Sequence, residues 1–189
     1  MPKVTISNLK GIVQSTGSGL IVQNSAKFSG GVHDTNIVEQ SGTAAEDLSN
    51  TTSNLVWYSN AAQAAAITLP QATAANAGMV IKIIVGTTDW SATAFKLGFA
   101  DTGDTVMTGY MRLGSNAGTE AVDGFVITAN AKSLQIDADD PATAIGGAIG
   151  STYVFTYLED DLVHCEANGM VTTGTPALAA GAATTTGTS

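Results

Sequence analysis

The apolar runs in this chain are short, and that limits what it can fold into more than any other feature. From about residue 35 to 170 they last roughly four to eight residues, alternate with polar ones, and stop at Gly, Asn or Asp, as half-buried strands do. Candidate strands are Leu55–Ser59, Ala65–Leu69, Met79–Val85, Phe95–Phe99, Gly124–Ala129, Ser133–Asp137, Thr152–Leu158 and Leu162–Ala167. Alternation is clean in several: Phe95, Leu97 and Phe99 share one face, and Leu134 and Ile136 oppose Ser133, Gln135 and Asp137. The one helix expected is two turns at Pro70–Ala77, with proline at its start and Gly78 beyond its end. Short strands with almost no helix predict an all-β fold, an antiparallel β-sandwich or a jelly-roll-like body.

The last strand pair predicts its own register. With Glu159-Asp160-Asp161 as a three-residue loop, Leu158 faces Leu162. Tyr153, Phe155 and Tyr157 then share a face with Val163, Cys165 and Ala167, while Val154, Thr156, His164 and Glu166 take the other. Cys165 is therefore expected as an inert core thiol rather than a nucleophile, and His164 as an outward residue.

Charge divides the chain. Its 189 residues hold 7 basic and 16 acidic side chains, a net −9, yet residues 1–33 carry Lys3, Lys10 and Lys27 and no acid. The strand-like runs Val4-Thr5-Ile6 and Leu20-Ile21-Val22 in that segment need a sheet to join. Residues 1–34 are thus expected to be a basic extended arm that docks on an acidic surface. Residues 35–171 form the sandwich body in this reading. The uncharged Thr/Ala/Gly-rich stretch 172–189 is expected to be disordered in a free monomer and to run over a neighbour in an assembly.

An acidic chain with a single arginine is not expected to bind nucleic acid. No run of about 18 apolar residues occurs, and Met1–Thr5 lacks the apolar core of a secretory signal, so folding in a cytoplasm without a membrane partner is expected. One cysteine allows no intrachain disulfide.

Catalytic constellations do not assemble. His164, Cys165 and Glu166 are adjacent on a strand and point to opposite faces, so they cannot converge on one ion. His33-Asp34 reads as a turn. Asp101-Thr102-Gly103-Asp104 and Asp137-Ala138-Asp139-Asp140 read as solvated turns, leaving open only a weak Ca²⁺ site between subunits. Gly17-Ser18-Gly19 continues to Val22 rather than glycine, and no GxSxG or GxxxxGK[ST] occurs. Trp57-Tyr58, Trp90 and Tyr110 could form a sugar-binding surface, though core bulk is favoured for Trp57 or Tyr58. The expectation is a protein that is not an enzyme, with no cofactor, no metal and no small-molecule ligand.

Ile67-Thr68-Leu69-Pro70, followed by Asn76-Ala77-Gly78-Met79-Val80-Ile81-Lys82-Ile83, resembles a pattern of tailed-bacteriophage virion structural proteins. Gly150-Ser151-Thr152-Tyr153-Val154-Phe155-Thr156-Tyr157 resembles the closing Gly-aromatic hairpin of the same proteins. The Ala/Thr/Gly-rich, cysteine-poor, acidic composition is similar to that of marine phage virion proteins. The resemblance implies a capsid decoration (cement) protein, a homotrimer at the virion surface whose partner is the major capsid protein. In that role Lys3, Lys10 and Lys27 would anchor the arm, with Val4, Ile6, Ile12 and Val13 adding strand pairing. A tail-fibre subunit recognising host glycans is the second expectation, and a small carbohydrate-active enzyme or lectin the third.

Overall fold

A computed structural model of the chain describes residues 35–63, 65–90, 95–115, 122–136, 146–171, 183–184 and 187–188. The arm residues Lys3, Val4, Ile6, Lys10, Ile12, Val13 and Lys27 lie outside these, as do His33-Asp34 and Asp137–Asp140. The described part is all-β, without helix. Its strands are β1 (Thr35–Gln40), β2 (Glu46–Asp47), β3 (Asn54–Ser59), β4 (Ile67–Leu69), β5 (Val80–Val85), β6 (Phe95–Phe99), β7 (Val106–Ser115), β8 (Val122–Ala131), β9 (Ser133–Ile136), β10 (Thr152–Glu159), β11 (Leu162–Val171) and β12 (Ala183–Thr184).

They form two sheets. One has seven strands in the order β1-β3-β5-β10-β11-β7-β8, the other five in the order β12-β9-β6-β4-β2. Both are mixed, which corrects the antiparallel expectation: β1/β3, β3/β5, β11/β7, β2/β4 and β4/β6 are parallel pairs. The cause is the path of β1 to β6, which alternate between the sheets. Each return lands beside the strand two earlier, running the same way, with the intervening strand as crossover.

Period-two patterning fixes which side of each strand is buried. Leu55 and Trp57 on β3, Ile81 and Ile83 on β5, Tyr153, Phe155 and Tyr157 on β10, and Val163, Cys165 and Ala167 on β11 are buried. They join Ile67, Leu69, Leu97, Phe99, Leu134 and Ile136 of the five-stranded sheet in one hydrophobic cluster. Trp90 stacks on Tyr153, with centroids 5.9 Å apart, and meets Trp57 edge-on at 6.4 Å. The tryptophans therefore fill the core and are not a sugar-binding surface.

The β10–β11 register is as expected from Tyr153↔Ala167 through Tyr157↔Val163, then shifts. Glu159, not Leu158, pairs with Leu162 across Asp160-Asp161, because Asp161 adopts φ 59° and tightens the turn by one residue. Leu158 is displaced from the ladder and half exposed.

Pro70–Ala77 forms turns instead of a helix. The Asn76 side chain accepts from the Thr73 N–H and donates to the Gln71 carbonyl, a local alternative to helical bonding. Residues far along the chain claim other groups: the Ala72 N–H donates to Thr105 Oγ1, the Gly78 N–H to the Tyr157 carbonyl, and the Tyr157 hydroxyl to the Pro70 carbonyl. Two turns of helix cannot compete with those partners.

Within the stretch 172–189 the described residues, 183–184 and 187–188, bond to the chain's own body, and the rest of the stretch lies outside the described residues. Ala183–Thr184 pairs with Leu134 and Ser133 of β9. The Thr188 N–H donates to the Phe99 carbonyl at 2.8 Å, Thr188 Oγ1 lies 2.8 Å from Thr68 Oγ1, and the Gly187 N–H donates to the Asp101 carboxylate. Backbone bonds to a sheet edge need no apolar side chain, so a composition too poor for a core still suffices here.

Candidate binding face

The side of the seven-stranded sheet turned away from the core is the broadest surface the strands build. Because each pairing is in register, one row of side chains crosses all seven strands: Ile37, Val56, Lys82, Val154, Glu166, Tyr110 and Val126. A neighbouring row runs Glu39, Tyr58, Ile84, Thr152, Asn168, Arg112 and Gly124. Aliphatic Val56, Ile84 and Val154 are half-buried between polar groups on this face.

Two polar clusters stand on it. At the β1 end, Glu39 accepts from the Tyr58 hydroxyl and from Asn60 Nδ2, both at 2.8 Å. Those bonds, Asn60's first, hold the Glu39 carboxyl below the usual carboxylate range and push the Tyr58 phenol up. On β7 and β11, parallel pairing brings Tyr110 beside Glu166 and Arg112 beside Asn168. The Arg112 guanidinium lies 5.0 Å from the Tyr110 ring centroid, a cation–π distance, and His164 meets the ring edge-on at 6.5 Å. His164 Nε2 is 3.6 Å from Glu166 Oε1, and both side chains are solvated, so this contact adds little to stability.

Such a face can stack, hydrogen-bond and exclude water against a flat partner. Cys165, next to His164 in sequence, is fully buried on the opposite side; burial first, then the charge of Glu166, pushes its thiol well above the ordinary value. Among the described residues, no three His, Cys, Asp or Glu side chains gather as a metal site would require. At Asp101–Asp104 the Lys132 ammonium occupies the turn, donating to the carbonyls of Asp101 and Gly103 at 3.1 and 2.6 Å. Two shallow concavities lie among the described residues: one of about 440 Å³ at the β1–β2 end, lined by Ile37, Val38, Leu48 and Leu55, and one of about 190 Å³ between Thr52–Asn54 and Ala75–Met79.

Of the aromatics expected on a binding surface, Tyr58 and Tyr110 are there, and Trp57 and Trp90 are not. Sequence reasoning missed Arg112 because Gly109 and Gly114 interrupt β7; the signal present was Met107, Met111 and Leu113 at even spacing. Compared with known proteins, the chain matches no family model, no curated protein and no solved structure.

Proposed function

We propose that this chain is a virion structural protein of the capsid-decoration type, binding outside a phage shell as a homotrimer and stabilising it. The observation that carries the reading is the broad, strand-built outer face with half-buried aliphatics between polar clusters, a shape suited to another protein rather than a small molecule. The charge division adds support: residues 1–33 are basic and free of acids, and would reach an acidic shell surface through Lys3, Lys10 and Lys27. The two sheets sharing one core are read as a sandwich, jelly-roll-like in outline, whose first half winds as a two-sheet coil. Three linked copies would hold the shell by multivalency, since a first docked arm raises the effective concentration of the others. In this role the chain needs no cofactor and performs no catalysis.

The test is co-sedimentation with undecorated capsids across a salt series. Binding should weaken as salt rises, and reversing Lys3, Lys10 and Lys27 to Glu should reduce it by at least about tenfold. Capsid binding indifferent to both changes overturns the arm. A tail-fibre role in glycan recognition is the second reading, favoured by Tyr110 with Arg112, His164 and Glu166 around it. Glycan-array binding that Tyr110→Ala removes, without capsid binding, would establish that role instead.

A further inference from the structure

The stretch 172–189 is too poor in large apolar side chains to add a core, yet its described residues meet a seat that the body builds without them. Lys132 Nζ donates to the Asp101 and Gly103 carbonyls and braces the turn after β6, while the Phe99 N–H donates to the Lys132 carbonyl. The braced turn presents two acceptors, the Phe99 carbonyl and the Asp101 carboxylate. The Thr188 N–H donates to the first and the Gly187 N–H to the second.

Register extends the seat across the five-stranded sheet. Asp47, Thr68, Gly98, Ser133 and Thr184 form one row through β2, β4, β6, β9 and β12. Their neighbours Ile67, Leu97 and Leu134 belong to the core, so this row lies on the other side of the sheet, yet Gly98 and Ser133 within it are buried. Thr184 ends the row beside Ser133 of β9, and further along Thr188 Oγ1 lies 2.8 Å from Thr68 Oγ1 of β4. The segment is thus held at the sheet edge and again on a strand beyond β9 and β6.

Two of its positions are selected by the seat. Gly187 is buried, and a Cβ there would lie 2.7 Å from the Ala100 carbonyl carbon and 2.5 Å from the Asp101 nitrogen, closer still to the Phe99 carbonyl oxygen. All are backbone atoms of the braced turn and cannot swing aside as the end of a side chain would, so glycine alone fits. At 188 the hydroxyl counts: both threonines are half-buried, and an aliphatic side chain would take from Thr68 Oγ1 the partner it has there.

We propose that the five-stranded sheet carries a peptide-recognition site, selective for an uncharged segment with a Gly-Thr pair, and that residues 183–188 are its intramolecular ligand. Backbone bonds hold the segment, and the absent Cβ and the paired hydroxyl select it. Being tethered, the segment meets its seat at high effective concentration, so few bonds keep it there and a free peptide of the same sequence is kept out. The site stands or falls independently of any shell.

The test titrates isotopically labelled full-length protein, wild type and Gly187→Val, with the peptide spanning 181–189 up to about 5 mM, followed by NMR. In Gly187→Val the chain's own segment no longer seats, and the peptide should shift Thr68, Phe99 and Asp101 saturably. The wild type should bind the peptide at least about tenfold more weakly, and a peptide carrying Gly187→Val should shift neither protein. No shift in the Gly187→Val chain, equal affinity for the two proteins, or equal binding of the two peptides would each overturn the proposal. Hydrogen exchange on the wild type needs no variant: the Gly187 and Thr188 amides should exchange at least about tenfold more slowly than in the free peptide, at every protein concentration. Exchange at the free-peptide rate would overturn the proposal. Protection lost on dilution would also overturn it, and would assign the seat to the segment of a second copy.

Discussion

Adding one methyl group at Gly109 tests whether the β7–β11 pairing is as close as described. Gly109 sits opposite Cys165 in the parallel ladder, beside a register shift in β7, with φ +135°. A Cβ there would lie 2.8 Å from the Cys165 carbonyl carbon and closer still to its oxygen. Carbon contacts normally stand at about 3.5 Å or more, so the strands must separate locally by roughly 1 Å. Two ladder bonds at about 1 kcal/mol each would be lost or stretched, and the strained φ adds about 1–2 kcal/mol. Gly109→Ala should therefore cost about 3–4 kcal/mol, lowering Tm by about 6–16 °C for a domain of this size. Gly150 is the control: its φ is +91°, but a Cβ there meets nothing within 4 Å. Gly150→Ala should then cost only the conformational part, about 1–2 kcal/mol and about 2–8 °C. Thermal melts followed by far-UV circular dichroism compare the two. Equal shifts would refute the close approach, because conformation alone would then account for both.

Two further expectations concern titratable groups. Cys165, buried and with its thiol pushed up, should react with an aromatic disulfide reagent only at the rate of global unfolding; free-thiol kinetics under native conditions would contradict its burial. Glu39 is held low by Asn60 and Tyr58, and Asp47 by Ser49. A carboxyl lower in the folded state contributes stability above its unfolded value, about 4, and loses it as pH falls through the folded one. The Tm difference between wild type and Glu39→Gln should accordingly be present near neutral pH and shrink as pH falls through the lowered folded-state value; a difference that persists in strong acid would point to packing rather than charge.

The all-β class was legible because burial imposes period two, and β10 and β11 show how far that reaches. Tyr153, Phe155, Tyr157, Val163, Cys165 and Ala167 declare their common face in the sequence, and only the turn residue Asp161 moves the last pair by one. Parallel pairing was not legible, because alternation says which side of a strand is buried and nothing about which strand lies beside it. The helix expected at Pro70–Ala77 failed for a tertiary reason: its start and stop residues are sound, but Thr105 and Tyr157, far along the chain, take its backbone groups. On the outer face Tyr58 and Tyr110 could be suspected from residue type, whereas the rows that set Tyr58 beside Glu39 and Tyr110 beside Glu166 exist only through register.

The strand order has a consequence for synthesis. Among the described strands β10 and β11 are the last long ones made, yet they stand in the middle of the seven-stranded sheet, with the β1-β3-β5 side on one flank and β7-β8 on the other. Until residue 171 has left the ribosome, those flanks have no shared ladder, and β5 and β7 each present a bare edge. The hairpin acts as a keystone that arrives late. A nascent chain stalled before Thr152 should therefore bind a holdase chaperone, and release should follow completion of β11 rather than of the earlier strands.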